Sequence, residues 1–139
     1  MRNVAVRILV SFGSLASIGF GIWHFWVPAI WKWYSFMDPT ATELIIAVRA
    51  INVFFSLSLV LFGLMNLFLA FGPPARFSMA VVLAATCLLW ACRVAMQLIY
   101  PQGSMNPTIQ YSMLATFCLA LGAYAVSLVL VLTDKTVPR

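Results

Sequence analysis

Four apolar runs, each long enough to cross a lipid bilayer, leave this chain few ways to fold. They extend from about Val4 to Trp26, Thr40 to Phe71, Phe77 to Tyr100 and Ile109 to Leu132, separated by short polar or proline-containing breaks. A spanning helix needs ~20 residues. In hydrocarbon the backbone must satisfy its own hydrogen bonds, so each run is expected to be helical. Apolar residues make up 64% and charged residues 8% of the 139-residue chain, at a mean hydropathy of +1.04, whereas a soluble domain carries roughly 25% charge. The expectation is an all-α integral membrane protein: one domain, a four-transmembrane-helix bundle, with the lipid bilayer as its first partner.

The net charge of +5 comes from eight Lys and Arg residues scattered among the spans, so no basic patch exists for nucleic acid. Their positions speak to topology instead. If the chain weaves through four helices, Arg2, Arg7, Arg76, Lys135 and Arg139 fall on one side and only Lys32 lies in the opposite loops. The positive-inside tendency then makes both termini cytoplasmic in a multi-pass cell-membrane protein, with the Trp-rich first loop and the PQGSMNP loop outside. The start MRNVAVR, followed by an apolar run with Ser14-Leu15-Ala16, also fits a cleavable signal peptide. The run continues well past that site, and cleavage would leave an odd number of spans, so retention as a helix is expected. Cys87, Cys92 and Cys118 all lie within spans, form no CxxC pair, and read as small buried hydrophobes.

Gly13, Ser17 and Gly21 line one stripe of the first helix and let another helix approach closely. Packing within the bundle explains them; a homodimer seam is the alternative. WHFWVPAIWKWYSFM then gathers four of the five tryptophans, a composition suited to the headgroup level. Pro28 should end or kink the first helix, with Ala29 to Met37 lying flat as an interfacial turn. The second span should start either with Asp38 as N-cap before Pro39 or with a Thr40/Glu43 capping box. From Thr40 to Phe71 it runs 32 residues, about 48 Å at ~1.5 Å per residue against a ~30 Å hydrocarbon core. Its outer turns must protrude or tilt.

Depth counting places His24, Arg49, Asn52, Arg93 and Gln97, with Gln110 and Tyr111 close by, at a similar outer level. Arg49, Asn52 and Ser56 fall on one face of the second span. Thr86, Trp90, Arg93 and Gln97 follow the 4-3-4 spacing of one face of the third. An arginine inside the membrane costs about 2.5–3.5 kcal/mol or more unless it pairs, snorkels or lines a wet cavity. Arg49 can snorkel or bond Glu43. Arg93 is deeper, with Gln97 as polar neighbour and Trp90 as a cation–π partner. The six residues Arg49, Asn52, Arg93, Gln97, His24 and Trp90 form a candidate site for an anionic or quinone-like lipophilic ligand, since guanidinium forks recognise oxygens bidentately. A lone histidine provides no metal site, and no nucleotide-binding or Ser-His-Asp motif is present.

Gly21-Ile22-Trp23-His24-Phe25, followed by Val27-Pro28, resembles the end of the first helix in the DoxX-like superfamily of small four-helix membrane proteins. The resemblance implies a bundle in the cytoplasmic membrane, and some of those families are similar to subunits of quinone-linked sulfur or redox complexes. The WKWY segment and the Arg49/Asn52 and Arg93/Gln97 stripes lie outside it. Three functions are consistent with these features: a non-catalytic subunit or accessory protein of a larger membrane complex; an enzyme acting on a quinone, sterol-like or acyl substrate; and a small dimeric transporter or anion channel. A cation exporter of this size would need an acidic residue in mid-membrane, which is lacking; an anion pathway escapes that objection but needs a polar route through the inner leaflet, where only Asn66, Tyr124 and small hydroxyls are available.

Overall fold

The computed structural model describes residues 4–73, 75–103 and 105–134. Arg2, Lys135 and Arg139, which weigh in the expected orientation, and Pro74 and Ser104 of the turns lie outside the described residues. Within them the chain is helical, without strands: α1 (Val4–His24), a short α2 (Val27–Ile30), a 3-10 turn (Trp33–Phe36), α3 (Thr42–Phe71), α4 (Arg76–Ile99) and α5 (Pro107–Thr133). The helices α1, α3, α4 and α5 are long and apolar enough to cross a membrane.

These four pack as an antiparallel ring in which α1 and α4 each touch α3 and α5. Between α1 and α3, Asn52 meets His24 at one end, Gly63 lies against Ser14 and Ile18 in the middle, and Arg7 stacks over Phe71 at the other end. The small-residue stripe of α1 is used inside the ring. A Cβ on Gly13 would meet the Tyr124 ring of α5 at 3.0 Å, and one on Gly21 would meet the Ser56 carbonyl of α3 at 2.8 Å. Packing within the bundle therefore accounts for the stripe.

Much of the buried face of each helix is polar or small. The buried face of α3 is Asn52, Ser56, Leu59, Gly63, Asn66 and Ala70, while Phe54, Leu57, Leu61 and Phe68 are exposed. The buried hydroxyls of Ser17, Ser56, Thr86 and Ser127 each donate to the carbonyl four residues back in their own helix, which satisfies them locally.

Several boundaries differ from expectation. Pro28 lies buried at the start of α2, and α1 ends at His24. The following segment breaks into two short turns about Lys32, a left-handed residue at φ 51°. Neither expected cap forms on α3, which begins at Thr42 after Ala41 without a side-chain cap. Asp38 Oδ1 instead accepts from the Thr40 amide at 2.9 Å and the Thr40 hydroxyl at 2.7 Å. These bonds hold its carboxyl below the usual carboxylate range. The last helix starts earlier, at Pro107, because Asn106 caps it through the amides of Thr108 and Ile109. At the opposite end Arg76 donates through Nε to the Val131 carbonyl at 3.0 Å and through Nη2 to that of Leu132, covering carbonyls that a helix terminus leaves unpaired. Cys92 and Cys118 are exposed and Cys87 half-buried, all three free thiols, so the expectation of buried cysteines fails for two of them.

Candidate functional site

The close approach at Gly21 brings the last turn of α1 against α3 and sets His24 beside Asn52 and Ser56. Above them the 3-10 turn folds back, and its Trp33 ring packs edge-on to His24 at 6.2 Å. Between these elements and α4 lies a cavity of about 340 Å³. Its polar lining is His24, Asn52, Arg93 and Gln102; Trp33, Phe55, Val48, Ile51 and Met96 make the remainder apolar. Ile51 and Met96 are 67% and 51% exposed. They flank a side opening between α3 and α4, the least closely packed neighbours in the ring.

Arg93 is 9% exposed. Its Nη2 donates to Gln102 Oε1 at 2.7 Å and its Nη1 to Gln97 Oε1 at 3.4 Å, while its guanidinium stacks over the Phe117 ring at 4.3 Å. Gln97 Nε2 in turn donates to the Gln102 carbonyl at 2.9 Å, which ties the α4–α5 loop to the site. Among the described residues no carboxylate pairs with this arginine. Amide oxygens and ring faces carry partial charges only, so the site keeps its positive charge and favours an acceptor oxygen brought by a ligand.

On the opposite wall Asn52 Nδ2 donates to the His24 carbonyl at 3.3 Å. Asn52 Oδ1 is buried and finds no hydrogen-bond donor. The Ser56 hydroxyl donates to the Asn52 carbonyl at 2.7 Å and lies 3.4 Å from His24 Nδ1.

Of the six expected site residues, the structure brings His24, Asn52 and Arg93 to one cavity. Gln97 stands behind Arg93 and orients it. Trp90 sits one turn deeper: its Nε1 donates to Ser17 Oγ at 3.0 Å, and the cation–π partners of Arg93 are Phe117 and Phe20 rather than Trp90. Arg49 is exposed and outside the cavity, its guanidinium 5.0 Å above the Tyr34 ring. That aromatic, delivered by the folded-back turn, lies under Arg49, for which snorkelling or a bond to Glu43 is the expectation, and the two arginines do not share a cavity. Tyr111 is likewise exposed, and Gln110 lines no part of the cavity. Gln102 is not legible in the sequence, because a loop residue has no periodicity to reveal its direction.

Below the cavity the ring is closed. Trp90, Phe117 and Tyr124 are at most 1% exposed, and Tyr124 OH lies 2.9 Å from Ser17 Oγ and 3.3 Å from Ser14 Oγ. Deeper still, Asn66 Nδ2 donates to Thr86 Oγ1 at 2.8 Å. Among the described residues no group of His, Cys, Asp or Glu side chains is placed to hold a metal ion.

No protein-family model, curated protein or solved structure matches this chain.

Proposed function

We propose that this chain is a membrane-embedded binding protein that holds a lipophilic ligand by an acceptor oxygen at the outer end of its helix ring. The observation that carries the reading is Arg93, buried at the wall of a cavity with no carboxylate to neutralise it among the described residues. A guanidinium in that position is expensive to keep and costs less when an oxygen-bearing ligand completes its hydrogen bonds. Membrane insertion accounts for the four long helices whose large apolar residues face outward while Ser17, Asn52, Ser56, Asn66, Thr86 and Ser127 face inward, an arrangement that would be unstable in water. The charge pattern favours cytoplasmic termini, which would put the cavity in the outer leaflet. The closed packing beneath it favours holding a ligand over conducting one. On this reading the chain serves as a non-catalytic subunit or accessory protein, which the lack of a catalytic motif in its sequence favours.

Native mass spectrometry of gently purified protein tests the proposal. Wild type and Arg49→Leu should carry the same small lipophilic adduct, and Arg93→Leu should lose it. A wild-type protein that flies as a clean apo species, or equal retention by the two variants, would remove the site.

A further inference from the structure

Gln102 of the chain itself occupies the place on Arg93 that a ligand oxygen would take. Its side-chain amide meets Arg93 Nη2 at 2.7 Å, and because a guanidinium can only donate, the atom at that distance is the oxygen Oε1 and not the nitrogen. A neutral acceptor thus faces a buried positive charge. An ionised oxygen in the same place makes a hydrogen bond roughly twice as strong. The Gln102 side chain is also well placed to yield. The residue is exposed while lining the cavity, so its amide can turn to water without leaving a polar atom unpaired. Its backbone has a separate anchor: Gln97 Nε2 donates to the Gln102 carbonyl at 2.9 Å, and the Gln102 N–H donates to Gln97 Oε1 at 3.4 Å. The side chain can therefore leave Arg93 while the loop stays where it is.

Size and lining restrict what takes its place. Taking ~30 Å³ for a water in the liquid, the cavity of about 340 Å³ admits about eleven groups of that size. That is room for one alkyl chain and not for a two-chain lipid, and the side opening past Ile51 and Met96 lets the end of a longer chain lie outside. Beyond its four polar residues the lining is apolar, Trp33, Val48 and Phe55 included. A glycerol or sugar between charge and chain would lose its water there without gaining partners. A compact charge joined directly to a hydrocarbon chain avoids that loss. We propose that the site takes the carboxylate of a single-chain fatty acid, which replaces the Gln102 amide on Arg93. A carboxylate matches the planar guanidinium fork and brings the negative charge that no described side chain gives Arg93. This inference rests on the binding reading above and narrows it.

The test uses the full chain in phosphatidylcholine nanodiscs at about pH 9, where decanoate is ionised. Radiolabelled decanoate and methyl decanoate are each partitioned between protein-containing and empty nanodiscs. Wild type should bind the acid roughly tenfold or more tighter than the ester, because only the acid carries the charge. Gln102→Ala should bind decanoate roughly three- to tenfold tighter than wild type, since the acid no longer displaces an internal hydrogen bond. A residue that only shaped the cavity would weaken binding when truncated. Gln102→Glu has the shape of the native side chain and brings its own carboxylate to Arg93, so decanoate should bind it roughly tenfold or more weaker. If that variant does not fold, Gln102→Ala still decides. Unchanged or weaker binding by Gln102→Ala, or undiminished binding by Gln102→Glu, would overturn the exchange. Equal binding of acid and ester would overturn the charge requirement while leaving an acceptor-oxygen site standing. Absence of specific binding by both overturns the fatty-acid class if the purified protein still carries a lipophilic adduct, and the site itself if it flies clean.

Discussion

Ser17 shows how much one small side chain can hold. Its oxygen accepts from Trp90 at 3.0 Å, lies 2.9 Å from the Tyr124 hydroxyl and donates to the Gly13 carbonyl at 2.9 Å, joining α1, α4 and α5 at a point with no exposure to solvent. Ser17→Ala would strand the indole N–H of Trp90, and a buried donor left unpaired costs more than a hydrogen bond removed together with both its partners. The expected loss is about 1–2 kcal/mol, scaled down from soluble proteins because cross-helix hydrogen bonds in lipid measure smaller. Tyr124→Phe removes the polar group along with its need and should cost less. Unfolding midpoints in SDS titration would rank the two, and the reverse order would contradict this account. The same scale separates the arginines. Spacing alone places Arg93 on a buried face with Thr86, Trp90 and Gln97, and the structure buries all four. Spacing could not foresee Tyr34 arriving from an irregular turn to hold Arg49 outside the cavity, nor Ser14 and Ser17 serving Tyr124, because those contacts depend on how helices face one another.

At the level of elements, the site depends on how closely α1 approaches α3. A Cβ on Gly21 would lie 2.8 Å from the Ser56 carbonyl and 3.0 Å from Leu59 Cβ, so the helices would have to separate beside His24, Asn52 and Ser56. Gly21→Ala should therefore cost about 1–3 kcal/mol and weaken ligand retention at the same time. Gly19, with nothing within 4 Å of a built Cβ, is the control: Gly19→Ala should be neutral or slightly stabilising. Identical SDS-unfolding midpoints for the two variants would refute the close-approach argument. Hydropathy made the four long helices legible because each is a nearly unbroken apolar run of 21 to 30 residues. Their ends were less legible. Asp38 turned back on Thr40, and Asn106 extended α5 to Pro107, choices made by single hydrogen bonds that a hydropathy run does not record.

At the level of the whole molecule, Arg76 sits at the end of the ring opposite Arg93 and binds the last carbonyls of α5, where its charge also opposes the helix dipole favourably. On the proposed orientation this end is cytoplasmic. A green fluorescent protein fused after Arg139 should fluoresce, and alkaline phosphatase at the same point should be inactive. An active phosphatase there would reverse the orientation and move the cavity to the inner leaflet.

The side opening between α3 and α4 has a kinetic and thermodynamic meaning in such a setting. On the proposed binding reading, a molecule entering past Ile51 and Met96 would come from among the lipids, so occupancy would follow its mole fraction in that leaflet rather than its concentration in water. Modest contacts then suffice for a filled site, and an oily compound with fewer hydrogen bonds can displace a better-matched one that partitions poorly. On the same reading, release would return the molecule to the leaflet it came from.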